Sequence, residues 1–287
     1  MNPFTLPVTG AGPGSQPPED DATQLDILQM PSGMNTYAVP EMPDPEEVAD
    51  LVAAKQVLGN LHRALTGFRI TSNNVVVDIS DFDARNRDLV DQVLAMGEVS
   101  VIYHGAVKFR AQESVLAGIW RVEYLGEDDR VLKDTVEIGA IPAMVKCATF
   151  TDCRWALAID CHDLPAGVLN SPPLFAELND KIADYKPGGA SHSINLSLLP
   201  QTEEDLMFLE QKLGSGPTSI LSRGYGNCRI HSTATRNVWR VRYFNSRDAI
   251  ILNTIEVVDV PVVALAAQDD IGDSVDRLQE ILKVYLC

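Results

Sequence analysis

Trp120-Arg-Val-Glu-Tyr124 and Trp239-Arg-Val-Arg-Tyr243 stand 119 residues apart, and the same offset lays residues 94–142 over 213–261 without a gap. Thirteen of these 49 positions are identical, among them Gly97/Gly216, Gly105/Gly224, Arg110/Arg229, Asp129/Asp248, Thr135/Thr254 and Glu137/Glu256. A period this long marks a duplicated domain, not the short stacked unit of a solenoid. Two copies of one fold are therefore expected. Residues found in only one copy become the better candidates for function.

Working outward, each half reads as a strand, a helix, a run of strands and a closing helix. In the first half, 74–79 is a strand, and Asp83 caps a helix that ends at Gly97. Residues 99–104, 107–115, 118–125 and 131–138 follow as strands. In the second half, 193–198 is the strand, and Thr202 caps a helix with Leu206, Leu209 and Leu213 inward. The two caps differ by the same 119 residues. Consecutive strands with short turns imply an antiparallel sheet. The fold class predicted is α+β, two tandem copies of a two-layer unit with helices on one face.

The domain plan follows. Residues 1–43, rich in Pro, Gly and acids, read as a disordered arm with an apolar island at 24–30. Residues 44–68 read as an N-terminal helix capped by Asp44, with Pro45 at its first position. The first repeat spans 69–150, a connecting segment 151–191, and the second repeat 192–287. In the connecting segment 173–185 has helical spacing, and 273–286 is an amphipathic C-terminal helix.

Bulk chemistry narrows the function. A net charge of −17 argues against nucleic acid, whose phosphates need a basic patch, and suits a basic peptide or protein partner. The start, Met1-Asn-Pro-Phe-Thr-Leu-Pro7, carries no basic n-region, and no apolar run is long enough to span a bilayer. A cytoplasmic chain without membrane insertion is expected. The five cysteines, Cys147, Cys153, Cys161, Cys228 and Cys287, are odd in number and form no Cys-x-x-Cys, which fits reduced thiols.

Motifs for chemistry are lacking. Cys147, Cys153 and Cys161-His162 have spacings that match no common zinc site, so no metal and no cofactor is expected, although metal or iron–sulfur handling by Cys147, Cys153, Cys161, His162 and Cys228 stays open as a rival reading. There is no P-loop, no nucleophile elbow and no His-Glu-x-x-His, so no catalytic residue is assigned. An enzyme site between the two halves stays open as another rival. Trp120 and Trp239 read as core anchors, and Glu137 and Glu256 as cross-strand partners.

The unusual stretch is Ser222-Arg-Gly-Tyr-Gly-Asn-Cys-Arg229. Its counterpart, Tyr103-His-Gly-Ala-Val-Lys-Phe-Arg110, keeps the first glycine and the last arginine but has no match for Tyr225, Asn227 or Cys228. A partner-binding surface is therefore predicted at Arg223, Gly224, Tyr225, Gly226, Asn227, Cys228 and Arg229, with Arg236 and Asn237 near in sequence. The bland alternative is a plain hairpin with a buried cysteine.

Four runs carry a family resemblance: Asn74-Val-Val-Val-Asp-Ile-Ser-Asp-Phe-Asp-Ala-Arg-Asn-Arg87, Ile220-Leu-Ser-Arg-Gly-Tyr-Gly-Asn-Cys-Arg-Ile230, Asn237-Val-Trp-Arg-Val-Arg-Tyr-Phe-Asn-Ser246 and Ile251-Leu-Asn-Thr-Ile-Glu-Val-Val-Asp-Val-Pro261. Together with Gly12-Pro-Gly-Ser-Gln-Pro17 and Met30-Pro-Ser-Gly-Met34 in the arm, they resemble the HupH/HyaF/HoxQ family of hydrogenase expression/formation proteins. The resemblance implies an accessory role in maturation of nickel–iron hydrogenases. The implied partners are the immature iron–sulfur small subunit, held as by a chaperone before assembly and export, and other maturation proteins. The net charge of −17 adds the expectation that a basic segment of that subunit, near its twin-arginine signal peptide, is bound. It carries over no catalytic residue.

Overall fold

The computed structural model describes residues 43–158, 164–224 and 226–285. The arm, its apolar island, Cys161, His162, Tyr225 and Cys287 lie outside the described residues. The chain runs through α1 (Val52–Thr66), β1 (Val75–Asp78), α2 (Ala84–Leu94), β2 (Val99–His104), β3 (Lys108–Glu113), β4 (Ile119–Leu125), β5 (Val131–Ile138) and α3 (Ala143–Ala148). It continues through α4 (Pro172–Asp184), β6 (His192–Asn195), α5 (Glu203–Leu213), β7 (Ser215–Ser222), β8 (Asn227–Thr233), β9 (Val238–Phe244), β10 (Ile250–Val257) and α6 (Gln268–Tyr285).

All ten strands join one antiparallel sheet in the order β1-β5-β4-β3-β2-β7-β8-β9-β10-β6. Read from either edge, the strands of the two halves come in the same succession. The halves meet where β2 pairs with β7, Val101 opposite Ile220. Side chains alternate across a strand, so each strand feeds both faces. One face carries Ile119, Arg121, Val136 and Ile138 under α1, α2 and α6, and Val238, Ile255 and Val257 under α4 and α5. The other face carries a single core shared by both halves, with Val101, Trp120, Val122, Ile220, Ile230, Trp239 and Val241. Helices do cover one face, as expected. The opposite face is not bare, because α3 and the segment 260–265 close over it through Val145, Val260 and Ala264. A sheet face this apolar cannot be left to water.

The 119-residue offset recurs in the geometry. The Trp120 indole N–H donates to Gly139 O at 2.9 Å, and that of Trp239 to Val258 O at 3.2 Å. The Thr135 and Thr254 hydroxyls donate to Val122 O and Val241 O. Gly97 sits where a Cβ would meet Ser114 O at 2.2 Å, and Gly216 where one would meet Thr233 O at 2.6 Å, so both positions demand glycine.

Several local expectations are adjusted. Residues 45–50 form turns, and α1 begins at Val52 after Leu51, not at Pro45. Asp44 is not its cap. Asn86 of α2 instead accepts from Ala54 N at 3.0 Å, supplying an orphan donor of the first turn from across the fold. Residues 196–198 are a 3-10 turn, not a strand, with Asn195 Oδ1 accepting from Ser197 N. Helix α6 follows the second half in sequence but packs with α1, and Arg277 reaches Val115 O while Tyr285 donates to Pro43 O. It thus completes the core of the first half. The connecting segment is tied by Arg154, whose backbone bridges Ala234 and Arg236 and whose guanidinium caps the carbonyls of Lys212 and Leu213 at the end of α5.

Candidate functional site

Of the nine residues predicted as a partner surface, Tyr225 lies outside the described residues, and the others fall in the first half of β8 and in the turns at its two ends. Arg223, Gly224 and Gly226 form the β7–β8 turn, and Arg236 and Asn237 form the β8–β9 turn. At about 3.3 Å per residue, the length of β8 separates them by roughly 20 Å. In the first turn, Arg223 N donates to Glu98 O, and a Cβ on Gly224 would lie 2.2 Å from a Glu98 carboxylate oxygen. Gly226 has φ +102, a conformation few side chains tolerate. Asn227 starts β8 opposite Phe244. Cys228 points into the shared core and is fully buried, and burial pushes its thiol up to about 12 even beside the Tyr243 hydroxyl. Its role is packing, not contact. Arg229 points to the other face and stacks on Phe244, 4.1 Å from the ring centre.

The second turn borders a cleft of about 970 Å³ on the sheet face that α3 covers. Its floor is Phe150, Val258, Val260 and Leu265. Phe150 meets Trp239 edge-on, 5.3 Å between ring centres, so the floor rests on a core anchor. The loop 185–189 after α4 makes one wall. Asp259 pins it: one carboxylate oxygen accepts from Gly188 N at 2.6 Å, the other from the Asn237 amide at 3.2 Å. Asp259 N also donates to the Tyr185 hydroxyl at 2.8 Å, and burial, then the nearby Asp259 charge, raise that phenol. Asn237 holds its corner with φ 58, a left-handed conformation that asparagine tolerates better than most residues.

At the mouth, the Arg236 guanidinium stacks over Trp155 at 3.7 Å. Trp155 is 72% exposed, where the other two tryptophans are at 0%. Lys146 and the exposed Cys147 stand on the α3 side. Glu256 lines the cleft with its carboxyl raised by burial, an effect only partly opposed by the Thr254 hydroxyl. An open apolar floor with mixed charges at its rim suits an extended peptide segment carrying apolar side chains. Trp155 escaped the sequence reading. As a tryptophan in the connecting segment, it lies outside the two copies whose comparison drew the candidate residues.

Among the described residues, no three His, Cys, Asp or Glu side chains come together as a metal set. Cys153 is half-buried and donates to Phe150 O at 2.8 Å. No helix among the described residues is long and apolar enough to cross a membrane.

Comparison with known proteins adds an independent line. The family model of the HupH hydrogenase expression protein, C-terminal conserved region, matches twice, over residues 51–158 and 168–285. The hydrogenase expression/formation protein HoxQ of Cupriavidus necator is 43% identical over 284 residues, covering 99% of this chain and 98% of that one. HupH of Rhodobacter capsulatus is 43% identical over 280 residues, 98% of each chain. The hydrogenase-1 operon protein HyaF of Escherichia coli K12 is 32% identical over 278 residues, 94% of this chain and 93% of the relative.

Proposed function

This chain belongs to the HupH family of hydrogenase expression proteins, and from that premise we propose that it is a non-catalytic accessory protein of hydrogenase maturation in the cytoplasm. Its cargo is the immature iron–sulfur small subunit, held before assembly and export. The two halves are copies of one unit, and the second copy has been turned to binding. The names of the relatives support the hydrogenase context. The paired geometry and the twofold match of the family model support the duplication.

The observation that carries the reading is the exposed Trp155 at the mouth of the apolar cleft, clamped by Arg236. Tryptophan and arginine are the residue types that most often dominate binding energy at an interface. The net charge of −17 adds attraction for a basic segment such as that around a twin-arginine signal. The β7–β8 turn with Arg223 is a second, separate contact at the other end of β8.

The test is capture of the small subunit by the full chain, with kinetics at several salt concentrations. Trp155 is exposed, so Trp155→Ala leaves the melting temperature unchanged. Loss of about 2 kcal/mol at a hot spot weakens binding roughly 30-fold. Raising salt slows association more than it speeds dissociation, since steering is screened over about 8 Å at physiological ionic strength. Unchanged affinity in Trp155→Ala would remove the cleft from the mechanism, and a salt-independent on-rate would remove the electrostatic part.

A further inference from the structure

On the opposite face of the sheet from the cleft, the two halves differ in charge at matched positions. In the first half, Arg121 is clamped by Asp91 and Asp134, and Arg110 pairs with Glu123. The same offset turns Arg110, Arg121 and Asp91 into Arg229, Arg240 and Glu210, which keeps the chemistry. It turns Glu123 into Arg242 and Asp134 into Asn253, which does not. At these positions two carboxylates are lost and one guanidinium is gained, while Arg87, 3.5 Å from Asp134 in the first half, has Leu206 in its place.

The consequence is visible in the contacts. Arg240 and Arg242 are 7% and 8% exposed, and both reach the same oxygen of one carboxylate, Glu210, at 2.8 and 3.4 Å. Arg229 and Asn253 are the cross-strand neighbours of Arg242 on either side. Arg229 pairs with the outward-facing Asp248. The buried Nε atoms of Arg229, Arg240 and Arg242 and the buried Oδ1 of Asn253 have no hydrogen-bond partner among the described residues. Burying a guanidinium costs several kcal/mol unless counter-charge and hydrogen bonds offset it. Burial, and then its arginine neighbours, push His231 down to about 4 and Arg242 down to about 10. His231 is therefore neutral at pH 7, and Arg242 keeps its charge. Three guanidiniums thus face two carboxylates, Glu210 and Asp248, a local excess of positive charge in a chain whose net charge is −17.

We propose that Arg229, Arg240 and Arg242 form a binding site for a small oxyanion, a carboxylate or phosphate group that supplies what Glu123 and Asp134 supply in the first half. Planar guanidinium forks match the oxygens of such a group. Glu210, 39% exposed, and Asp248, 57% exposed, mark the solvent side from which it enters. The site is independent of the docking cleft, and failure of either reading leaves the other standing.

The experiment is thermal unfolding of the full chain in inorganic phosphate, sulfate or acetate against chloride at matched ionic strength. Phosphate, sulfate or acetate raises Tm in the wild type. A stronger effect of phosphate identifies a free inorganic oxyanion, and a stronger effect of acetate identifies a carboxylate ligand. The double variant Arg242→Glu with Asn253→Asp restores the first half's charge pattern and abolishes the difference between anions. Should that variant fail to fold, Arg229→Gln at the rim weakens the titrated anion affinity about tenfold or more with an unchanged near-UV spectrum. No rise over chloride in the wild type, or an equal rise in wild type and variants, overturns the proposal.

Discussion

Asp205 joins the turn 167–171, the start of α4 and the start of α5, and its replacement gives a sharp test of how the second half is held. It is fully buried. Its Oδ1 accepts from the backbone N–H groups of Leu169, Asn170 and Ser171, each at 2.9 Å, and its Oδ2 from Thr202 N at 3.1 Å. Burial pushes the carboxyl up, but the donations from Ser171, Thr202, Asn170 and Leu169 outweigh it and hold the carboxyl well below the usual carboxylate range. Asp205→Asn keeps the shape but removes the charge and sets an NH2 group against backbone donors. A hydrogen bond to a charged group is worth about 1 kcal/mol more than a neutral one, so four of them give a loss of about 4 kcal/mol. The folded-state pKa is depressed, so this stability is present above the unfolded pKa near 3.8 and is lost as pH falls through the lower folded value. Urea unfolding from pH 7 down to pH 3 reads both effects. The wild type weakens in acid, and Asp205→Asn is already weak at pH 7 and shows less acid dependence. A loss under about 1 kcal/mol at pH 7, or an acid profile parallel to the wild type, would refute the reasoning.

Two further outcomes are expected. Burial raises Glu113 from 4.5 to about 7, with Glu98 and Asp270 adding to the rise and backbone donors opposing it. Its contribution is full below pH 4.5 and lost as pH rises through 7, so Glu113→Gln stabilises by about 3 kcal/mol at pH 8 and is neutral at pH 4, read by denaturant titration at both. Trp239→Ala and Trp120→Ala each empty a fully buried indole site and cost about 3–5 kcal/mol in the same assay, and a cost near zero for either would separate the two halves in construction.

Much of this protein is legible one residue at a time. The strands alternate because period-two side chains must serve two faces, and the caps Asp83 and Thr202 are local hydrogen-bond chemistry. The offset in the Trp-Arg-Val-x-Tyr runs carries into matched indole bonds at Gly139 and Val258, because each rests on strand register within its own half. Asymmetry between the halves is also legible in the sequence. Applied to the charges it singles out Arg242 and Asn253.

Other features were decided only when distant segments met. Sequence neighbours Arg229 and Arg236 lie toward opposite ends of β8, because an extended strand carries seven residues far in one direction. Asp44 has good capping chemistry, yet Asn86 supplies the acceptor for α1. Helix α6 has an apolar stripe that names no partner, and only packing assigns it to the first half. The sequence by itself determined the repeated strand pattern, the caps and the paired core tryptophans, since these depend on side-chain period and local hydrogen bonds. The tertiary structure alone decided which helix covers which half, how Trp155 meets Arg236, and that two buried arginines share the half-buried Glu210 carboxylate, since those depend on contacts between segments far apart in the chain.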